Sequence, residues 1–296
     1  MGILVHAVAG RPVQGSLSPL LALLTVGRLE EAGVVGLGLA TTRAIRIDAK
    51  STEEALARFH ASAMSSSTGL LHHVVAAHLH DEPRPSMTYP PVFQAGGGQW
   101  LSLTSPLKHQ VGAWRCIDRS HALLSVNALR VDGEDVRSAG TDGAGVVDVA
   151  RRAGVSPEKG AVLRLRGGGG AARSTAHAWA EAGGRLHLVE GRRVMKPQLH
   201  ASSLVGDDAQ AALGIDFDGE GVDLGAALQV VPAYQGTRSP LGTAVQGGVL
   251  DGRWMLVAQH LAAWRSLWAP ELSDALPTLE DLMHDLLSVE VALKAA

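Results

Sequence analysis

A single cysteine, Cys116, stands in a chain of 296 residues, so no internal disulfide and no cysteine-based zinc site can form. That scarcity fits a reducing compartment. No apolar run approaches the roughly 18 residues that a membrane span needs. The opening Met-Gly-Ile-Leu-Val-His has neither the basic region nor the cleavage pattern of a signal peptide. The expected location is therefore the cytoplasm, with no membrane partner. Long runs of one charge sign are missing too. The formal net charge is -3 with acidic and basic residues interspersed, which excludes the electrostatic footprint of a nucleic-acid binder. No internal repeat or low-complexity tract occurs. What remains is a soluble, globular composition, 46% hydrophobic and 19% charged, long enough for two ordinary domains and suited to a small partner.

Residues 3–9 form a short apolar run that stops at Gly10, followed by a turn-rich stretch and Ser18-Pro19. This reads as strand, loop and helix start, with Ser18 as cap and Pro19 at the first helical position, where its missing N–H costs nothing. Leu20, Leu21, Leu23 and Leu24 supply the buried side, and Gly33 ends the helix. A second helix begins at Ser51, whose spacing to Glu54 makes a capping box, with Leu56, Phe59 and Ala63 at helical spacing. Serines, histidines, prolines and Gly96-Gly97-Gly98 mark residues 64–98 as an irregular insertion. From Ser138 onward, short apolar runs alternate with helical patterns: 146–153, 161–165, 171–182, 186–189. Such alternation implies a parallel sheet. Near the end, Trp254, Val257, Leu261, Trp264 and Trp268 recur at three and four residues and should face one core.

The run Gly167-Gly168-Gly169-Gly170-Ala171-Ala172 fits G-x-G-x-x-A between a strand-like and a helix-like segment. Glycines there let backbone N–H groups approach a pyrophosphate at a helix N-terminus; a plain structural turn is the alternative. Gly167, Gly169, Gly170 and Ala171 are the candidate cofactor contacts. Glu190, about 20 residues on, stands where an acidic side chain binds a ribose 2′-hydroxyl, which favours NAD. Arg192 and Arg193 can instead attract a 2′-phosphate, which favours NADP. His72, His73, His78 and His80 with Asp81 and Glu82 lack a recognised ligand spacing, so solvated loop histidines are the better reading. Asp216, Asp218 and Glu220 lack the remaining positions of a calcium loop. No metal is expected.

Five separated pieces, in order, resemble the shikimate dehydrogenase family. Gly10-Arg11-Pro12 followed by Ser16-Leu17-Ser18-Pro19 is similar to its Gly-x-Pro and Ser-x-Ser-Pro, so Ser16 and Ser18 inherit the substrate carboxylate. Ser102-Leu103-Thr104-Ser105-Pro106-Leu107-Lys108 is similar to Asn-Val-Thr-x-Pro-x-Lys, which makes Lys108 the catalytic lysine and Thr104 a substrate contact. Val126-Asn127-Ala128 resembles Val-Asn-Thr, giving Asn127 the ring hydroxyls. Gly140-Thr141-Asp142-Gly143 resembles Asn-Thr-Asp-Gly, whose aspartate pairs with the lysine; the other reading of Asp142 is an ordinary Asp-Gly turn. Tyr234 and the string Met255-Leu256-Val257-Ala258-Gln259 resemble the family's closing motifs, placing Tyr234 near the ring and Gln259 on the substrate.

The resemblance implies a two-lobed α/β protein. An N-terminal α/β substrate-binding lobe, 1–138, is completed by 252–296 as C-terminal helices return to it. Residues 139–251 form a Rossmann-like, reduced dinucleotide-binding lobe. It further implies NAD(P)-dependent, reversible reduction of 3-dehydroshikimate or a related ring keto acid, with a small hydroxylated ring carboxylic acid as ligand and a homodimer as an allowed assembly. Departures cluster on the cofactor side. Arg164 and Arg166 interrupt a strand that should be apolar on both faces, so each needs a partner or an open site. The family's Asn-Ala-Thr has no counterpart nearer than Gly214-Ile215-Asp216-Phe217-Asp218, and Trp254 replaces a glycine beside the nicotinamide. Ser102 and Gly140 each replace an asparagine. Two other functions stay open: non-redox lysine chemistry, a dehydration or isomerisation, on a similar acid, and simple binding of a shikimate-like ligand without catalysis.

Overall fold

The computed structural model describes residues 3–34, 36–62, 69–79, 98–195, 197–233 and 248–295. Tyr234 lies outside the described residues, as do His80, Asp81 and Glu82. The chain divides into two compact units, one of Met1–His121, Val126–Ala139 and Ala263–Ala296, the other of Ala122–Ser125 and Gly140–Ala262. Ala263–Ala296 thus groups with the first unit, whereas Gly252–Ala262 groups with the second.

In chain order the elements up to the second unit are β1 (Leu4–Gly10), α1 (Ser18–Glu31), β2 (Thr42–Asp48), α2 (Thr52–Ser62), α3 (Leu70–Leu79), β3 (Gln99–Leu103), β4 (Arg115–Cys116), α4 (Ser120–Leu123), β5 (Ala128–Asp132) and β6 (Asp135–Ala139). The strands make one mixed sheet in the order β2-β1-β3-β5-β6-β4. β1 is parallel to both β2 and β3, and β5 and β6 run antiparallel. Alternation along β1 divides its side chains between two cores. Val5, Ala7 and Ala9 join Ile47, Leu101, Leu103, Ala55 and Phe59. Leu4 joins Val26 and Leu29 of α1 and the tryptophans of the returning segment. There Trp100 meets Trp264 edge-on at 4.6 Å and stacks on Trp268 at 5.5 Å. Such aromatic pairs add about 0.5–1.5 kcal/mol each beyond their buried area.

Several local expectations hold, and some need correction. Half of the capping box forms: Glu54 N–H donates to Ser51 Oγ at 3.1 Å, while the Glu54 carboxylate reaches back one residue further and accepts the Lys50 N–H at 2.9 Å in place of the Ser51 N–H. Ser18, however, is the first helical residue of α1, and Leu17 precedes it without a capping side chain. Ser16 Oγ takes the Ser18 N–H instead, at 3.3 Å. Within the supposed irregular insertion, residues 70–79 are helical, because Val75 and Leu79 bury one face. The histidines of this helix are no loop cluster. His72 Nε2 lies 2.7 Å from the Thr42 carbonyl oxygen, and His78 Nε2 lies 3.0 Å from Asp285. Among the described residues no group of side chains is arranged to hold a metal ion, and no helix is long and apolar enough to cross a membrane.

The second unit contains α5 (Asp142–Arg152), β7 (Val162–Arg166), α6 (Gly170–Glu181), β8 (Arg185–Val189), β9 (Ala211–Asp216), β10 (Ala226–Val231), β11 (Gly248–Asp251) and most of α7 (Gly252–Ala263). Its sheet is wholly parallel, in the order β11-β10-β9-β7-β8. Parallel neighbours ordinarily need a helical crossover, yet β9 and β10 are joined by residues 217–225 with no helix. Among the described residues between β8 and β9 the one helical segment is a 3₁₀ stretch, Pro197–Ser203, after which Leu204 pairs with Leu186 as a single parallel bridge. This is a Rossmann-like lobe in reduced form. Arg164, the anomaly in β7, is fully engaged: it donates to His187 Nδ1 at 3.0 Å, the Leu224 carbonyl at 2.7 Å and the Ala209 carbonyl at 3.0 Å. The tryptophan stripe is buried as expected but does not serve one core. A π-helical turn follows α7 at Trp264–Trp268, so Trp264 and Trp268 belong to the first unit while Trp254, Val257 and Leu261 belong to the second.

The last helix, α8 (Leu279–Ala295), carries a buried carboxylate, Asp285, which accepts from Arg28 Nη2 at 2.5 Å and Arg28 Nε at 2.7 Å. Burial raises its carboxyl pKa, but the hydrogen bonds from Arg28 and His78 outweigh this and the net shift is downward. Asp285→Ala leaves the largely buried Arg28 with Glu31, at 2.9 Å, as its remaining carboxylate and His78 without its acceptor, and should destabilise the chain by up to about 3–5 kcal/mol in urea unfolding. A cost under about 1 kcal/mol would mean that the pair is not buried in solution.

His6 gives a separate pH signature. It is buried on β1, edge-on to Trp268 at 5.0 Å, and burial pushes its pKa down to about 3. The folded state holds it neutral while the unfolded chain takes a proton below the ordinary histidine value of about 6.5. Its contribution is therefore intact above that pH and declines by up to about 1.4 kcal/mol per unit as pH falls toward 3. Melting temperatures measured from neutrality downward should decline less steeply in His6→Leu than in the wild type.

Candidate active site

At the C-terminal ends of β1 and β3 the backbone comes together unusually closely. A Cβ built on Gly10 would lie 2.3 Å from Thr104 Cγ2 and 2.7 Å from the Ser105 carbonyl oxygen, so only glycine fits. Two hydrogen bonds close the junction, Thr104 N–H to the Ala9 carbonyl at 2.8 Å and Arg11 N–H to the Ser105 carbonyl at 2.7 Å. The loop after β1 carries Ser16 and Ser18, whose hydroxyl oxygens are 3.3 Å apart, with Ser18 buried at the start of α1. The loop after β3 carries half-buried Thr104 and Lys108, the latter in a 3₁₀ turn anchored by buried Leu107. Asn127 sits just ahead of β5; its carbonyl accepts the Leu103 N–H at 2.8 Å and its N–H donates to the Ala139 carbonyl at 3.0 Å. The first unit thus gathers Ser16, Ser18, Thr104, Lys108 and Asn127 around one end of its sheet, where ligands of parallel α/β sheets bind.

The second unit carries Asp142 and Gln259. Asp142 is fully buried in the first turn of α5, where a carboxylate suits the helix dipole, and it is not part of a free-standing turn. Gly143 and Gly145 let this helix approach its neighbours: an added Cβ would lie 2.1 Å from the Ser174 carbonyl at Gly143 and 2.6 Å from the Gln259 nitrogen at Gly145. Gln259 is consequently packed tightly by its backbone, and its Oε1 is buried without a hydrogen-bond partner. An orphan acceptor of this kind suits a ligand hydroxyl.

The glycine run forms the expected strand–turn–helix. Gly167, at φ +106°, ends β7, and Gly169 precedes α6 in an extended conformation without a capping side chain. No acidic residue occupies the first turn, and the N–H groups of Gly170, Ala171 and Ala172 have no partner within the helix. In chemistry and shape this end fits the diphosphate of a dinucleotide. Arg173 braces the turn by donating to the carbonyls of Gly168 at 2.5 Å, Leu123 at 2.5 Å and Leu124 at 2.6 Å. Leu124 is the one non-glycine residue with positive φ among those described, at 51°.

Sequence reasoning missed an ionic cluster beside this turn. Arg166 donates to Asp216 at 3.3 Å and Glu220 at 2.7 Å, and to the carbonyl of Glu190 at 3.1 Å. Burial would raise the Asp216 carboxyl, yet the N–H groups of Asp218, Val222 and Glu220, with Arg166, hold it below the ordinary range. Asp218 Oδ2 accepts the Arg192 N–H at 2.6 Å, and the Arg192 side chain donates to the Asp218 carbonyl at 2.6 Å. Arg192 is therefore engaged by acidic neighbours, while exposed Glu190 contributes its carbonyl and not its carboxylate to Arg166. The alternation of Asp216, Asp218 and Glu220 was the available signal, and their use is to neutralise Arg166 and Arg192.

No family model matches the chain. It is 28% identical over 245 residues to the shikimate dehydrogenase (NADP(+)) of Acinetobacter baylyi, a match covering 70% of this chain and 93% of that protein. Over that length its sequence is similar to a shikimate dehydrogenase. Thermus thermophilus shikimate 5-dehydrogenase, solved with NADP(H) and shikimate, superposes with a TM-score of 0.64 at 21% identity, covering 97% of this chain and all 100% of that one. The fold is also that of 5-ketofructose reductase of Gluconobacter sp. strain CHM43, with a TM-score of 0.56 at 17% identity over 97% of this chain and 99% of that one. The shikimate dehydrogenase fold therefore accounts for both units.

The packing at Gly143 is directly testable. Gly143→Ala puts a methyl group against the Ser174 carbonyl and should destabilise by about 1–3 kcal/mol through overpacking. A thermal melt unchanged from the wild type would show that the contact between these helices yields freely.

Proposed function

We propose that the protein catalyses reversible, NAD(P)-dependent reduction of a ring keto acid such as 3-dehydroshikimate to the corresponding alcohol. The reading is carried by the gathering of Ser16, Ser18, Thr104, Lys108 and Asn127 at one end of the first sheet. Sequence likeness to an NADP-dependent shikimate dehydrogenase over most of the chain supports it. In this proposal the first unit binds the acid and the second binds the dinucleotide. Ser16 and Ser18 donate hydroxyl hydrogen bonds to the carboxylate. Thr104, Asn127 and Gln259 hold ring hydroxyls, and Tyr234 completes the ring contacts. Lys108 supplies and removes the proton at the reacting oxygen, and Asp142 orients its ammonium group. When bound, the nicotinamide supplies the hydride. Gly167, Gly169, Gly170 and Ala171 would hold the diphosphate through the turn and the first N–H groups of α6, with Glu190 and Arg192 toward the adenosine ribose. Fixing the acid at its carboxylate presents one ring carbon for transfer.

A second reading, non-redox chemistry by Lys108 on a similar acid, is favoured by one observation. The Asp218 carboxylate lies beside Gly167 and Gly191, where an added Cβ would be 3.2 Å and 2.3 Å away. An anionic side chain there opposes a diphosphate.

The deciding experiment follows dinucleotide oxidation by the purified protein with 3-dehydroshikimate and NADPH or NADH. Turnover is expected with at least one of them. Lys108→Ala should lower kcat by about 10²–10⁴-fold with an unchanged melting temperature. Absence of turnover with both dinucleotides would overturn the redox reading, and a Lys108→Ala variant with nearly wild-type kcat would overturn the role of the lysine.

A further inference from the structure

The serine pair has a neighbour that neither motif nor resemblance points to. β2 is the edge strand of the first sheet, and its side chains alternate between faces. Ile45 and Ile47 pack toward the core that contains Phe59, so Arg46 lies on the opposite face, the one shared with α1. From there its guanidinium reaches over the loop after β1 and grips the Ser16 carbonyl oxygen twice, from Nη2 at 3.0 Å and Nε at 3.3 Å. This fixes the plane of the guanidinium against the backbone of Ser16, whose hydroxyl is 3.3 Å from that of Ser18, and leaves Nη1 uncommitted. No carboxylate pairs with Arg46 among the described residues. The nearby Asp48 is instead 3.6 Å from Arg11. Partial burial draws the guanidinium below its ordinary pKa, as happens to a desolvated cation without a counterion. The loop leaves room as well, since a Cβ added at Gly15 would meet nothing within 4 Å.

We infer that Arg46 is a ligand-binding residue that pairs with the carboxylate held by Ser16 and Ser18. This rests on the proposed function and adds a charged anchor to its neutral hydroxyls. Two serine hydroxyls recognise a carboxylate only by hydrogen bonding and take a neutral amide oxygen nearly as well. A guanidinium fixed in plane adds charge-assisted bonds, and with them discrimination in favour of the anion. The site therefore selects ring acids over their uncharged amides and esters. An exposed arginine on an edge strand also discourages pairing with another strand, but that role asks for no fixed orientation, whereas the paired bonds to Ser16 impose one.

The test is calorimetric titration of the full chain with shikimate and with its carboxamide. The wild type should bind shikimate more tightly than the amide, with a preference that shrinks as salt is raised. Arg46→Gln should weaken shikimate binding about 10–100-fold and leave the amide within about threefold, erasing the preference, and Arg46→Lys should restore part of it. Equal melting temperatures would establish that the exposed substitution leaves the fold intact. If the wild type binds shikimate and Arg46→Gln binds it equally well, the role of Arg46 is overturned while the proposed function stands. If the wild type binds neither compound at millimolar concentration, the ring-acid reading itself falls, and this inference with it.

Discussion

The approach of β1 to the turn after β3 is the constraint on which the first unit's site depends. With no side chain at Gly10, the Thr104–Ser105 backbone closes to within bonding distance of Ala9 and Arg11. The loop bearing Ser16 and Ser18 and the turn bearing Lys108 are then held against one sheet end by main-chain hydrogen bonds. The junction itself closes without their side chains. The same division recurs at Asn127, whose backbone is bonded on both sides. Preorganisation of this kind is what a site needs to present several weak donors at once.

Much of this was legible in the residues because the relevant signals are local. The Ser51 cap of α2, the apolar run of β1 and the glycine turn before α6 each rest on spacing within a few residues, and each forms as read. Non-local facts were not legible. The helix at 70–79 was hidden by histidines that look solvated until Thr42 and Asp285, distant in sequence, are seen to receive them. The tryptophan stripe keeps perfect helical spacing, yet a π turn divides it between two cores. Periodicity reports which side chains are buried, and says nothing about what buries them. Arg46 escaped notice for a related reason: an arginine in an edge strand has no local signature, and its meaning comes only from the carbonyl it grips.

Around the glycine turn two features pull apart. The glycine turn and the bare start of α6 have the chemistry of a diphosphate cradle. Asp216, Asp218 and Glu220 nevertheless place three carboxylates around Arg166 and Arg192. Such clusters are costly to assemble unless every charge is matched, and here the main-chain N–H groups of 218, 220 and 222 match what the arginines do not. The cluster is thus self-sufficient as folded.

Arg164 has a consequence for how much chain a parallel sheet requires. Helical crossovers ordinarily do two jobs, returning the chain to the start of the next strand and roofing the sheet. Among the described residues α6 does this between β7 and β8, whereas the returns into β9 and β10 carry no α-helix, and one guanidinium rising from β7 ties β8 at His187 to those two returning segments at Ala209 and Leu224. A single planar side chain with five donors supplies the fastening there. The economy fixes the residue type: a lysine, whose three donors radiate from one point, has no geometry that reaches the same three acceptors.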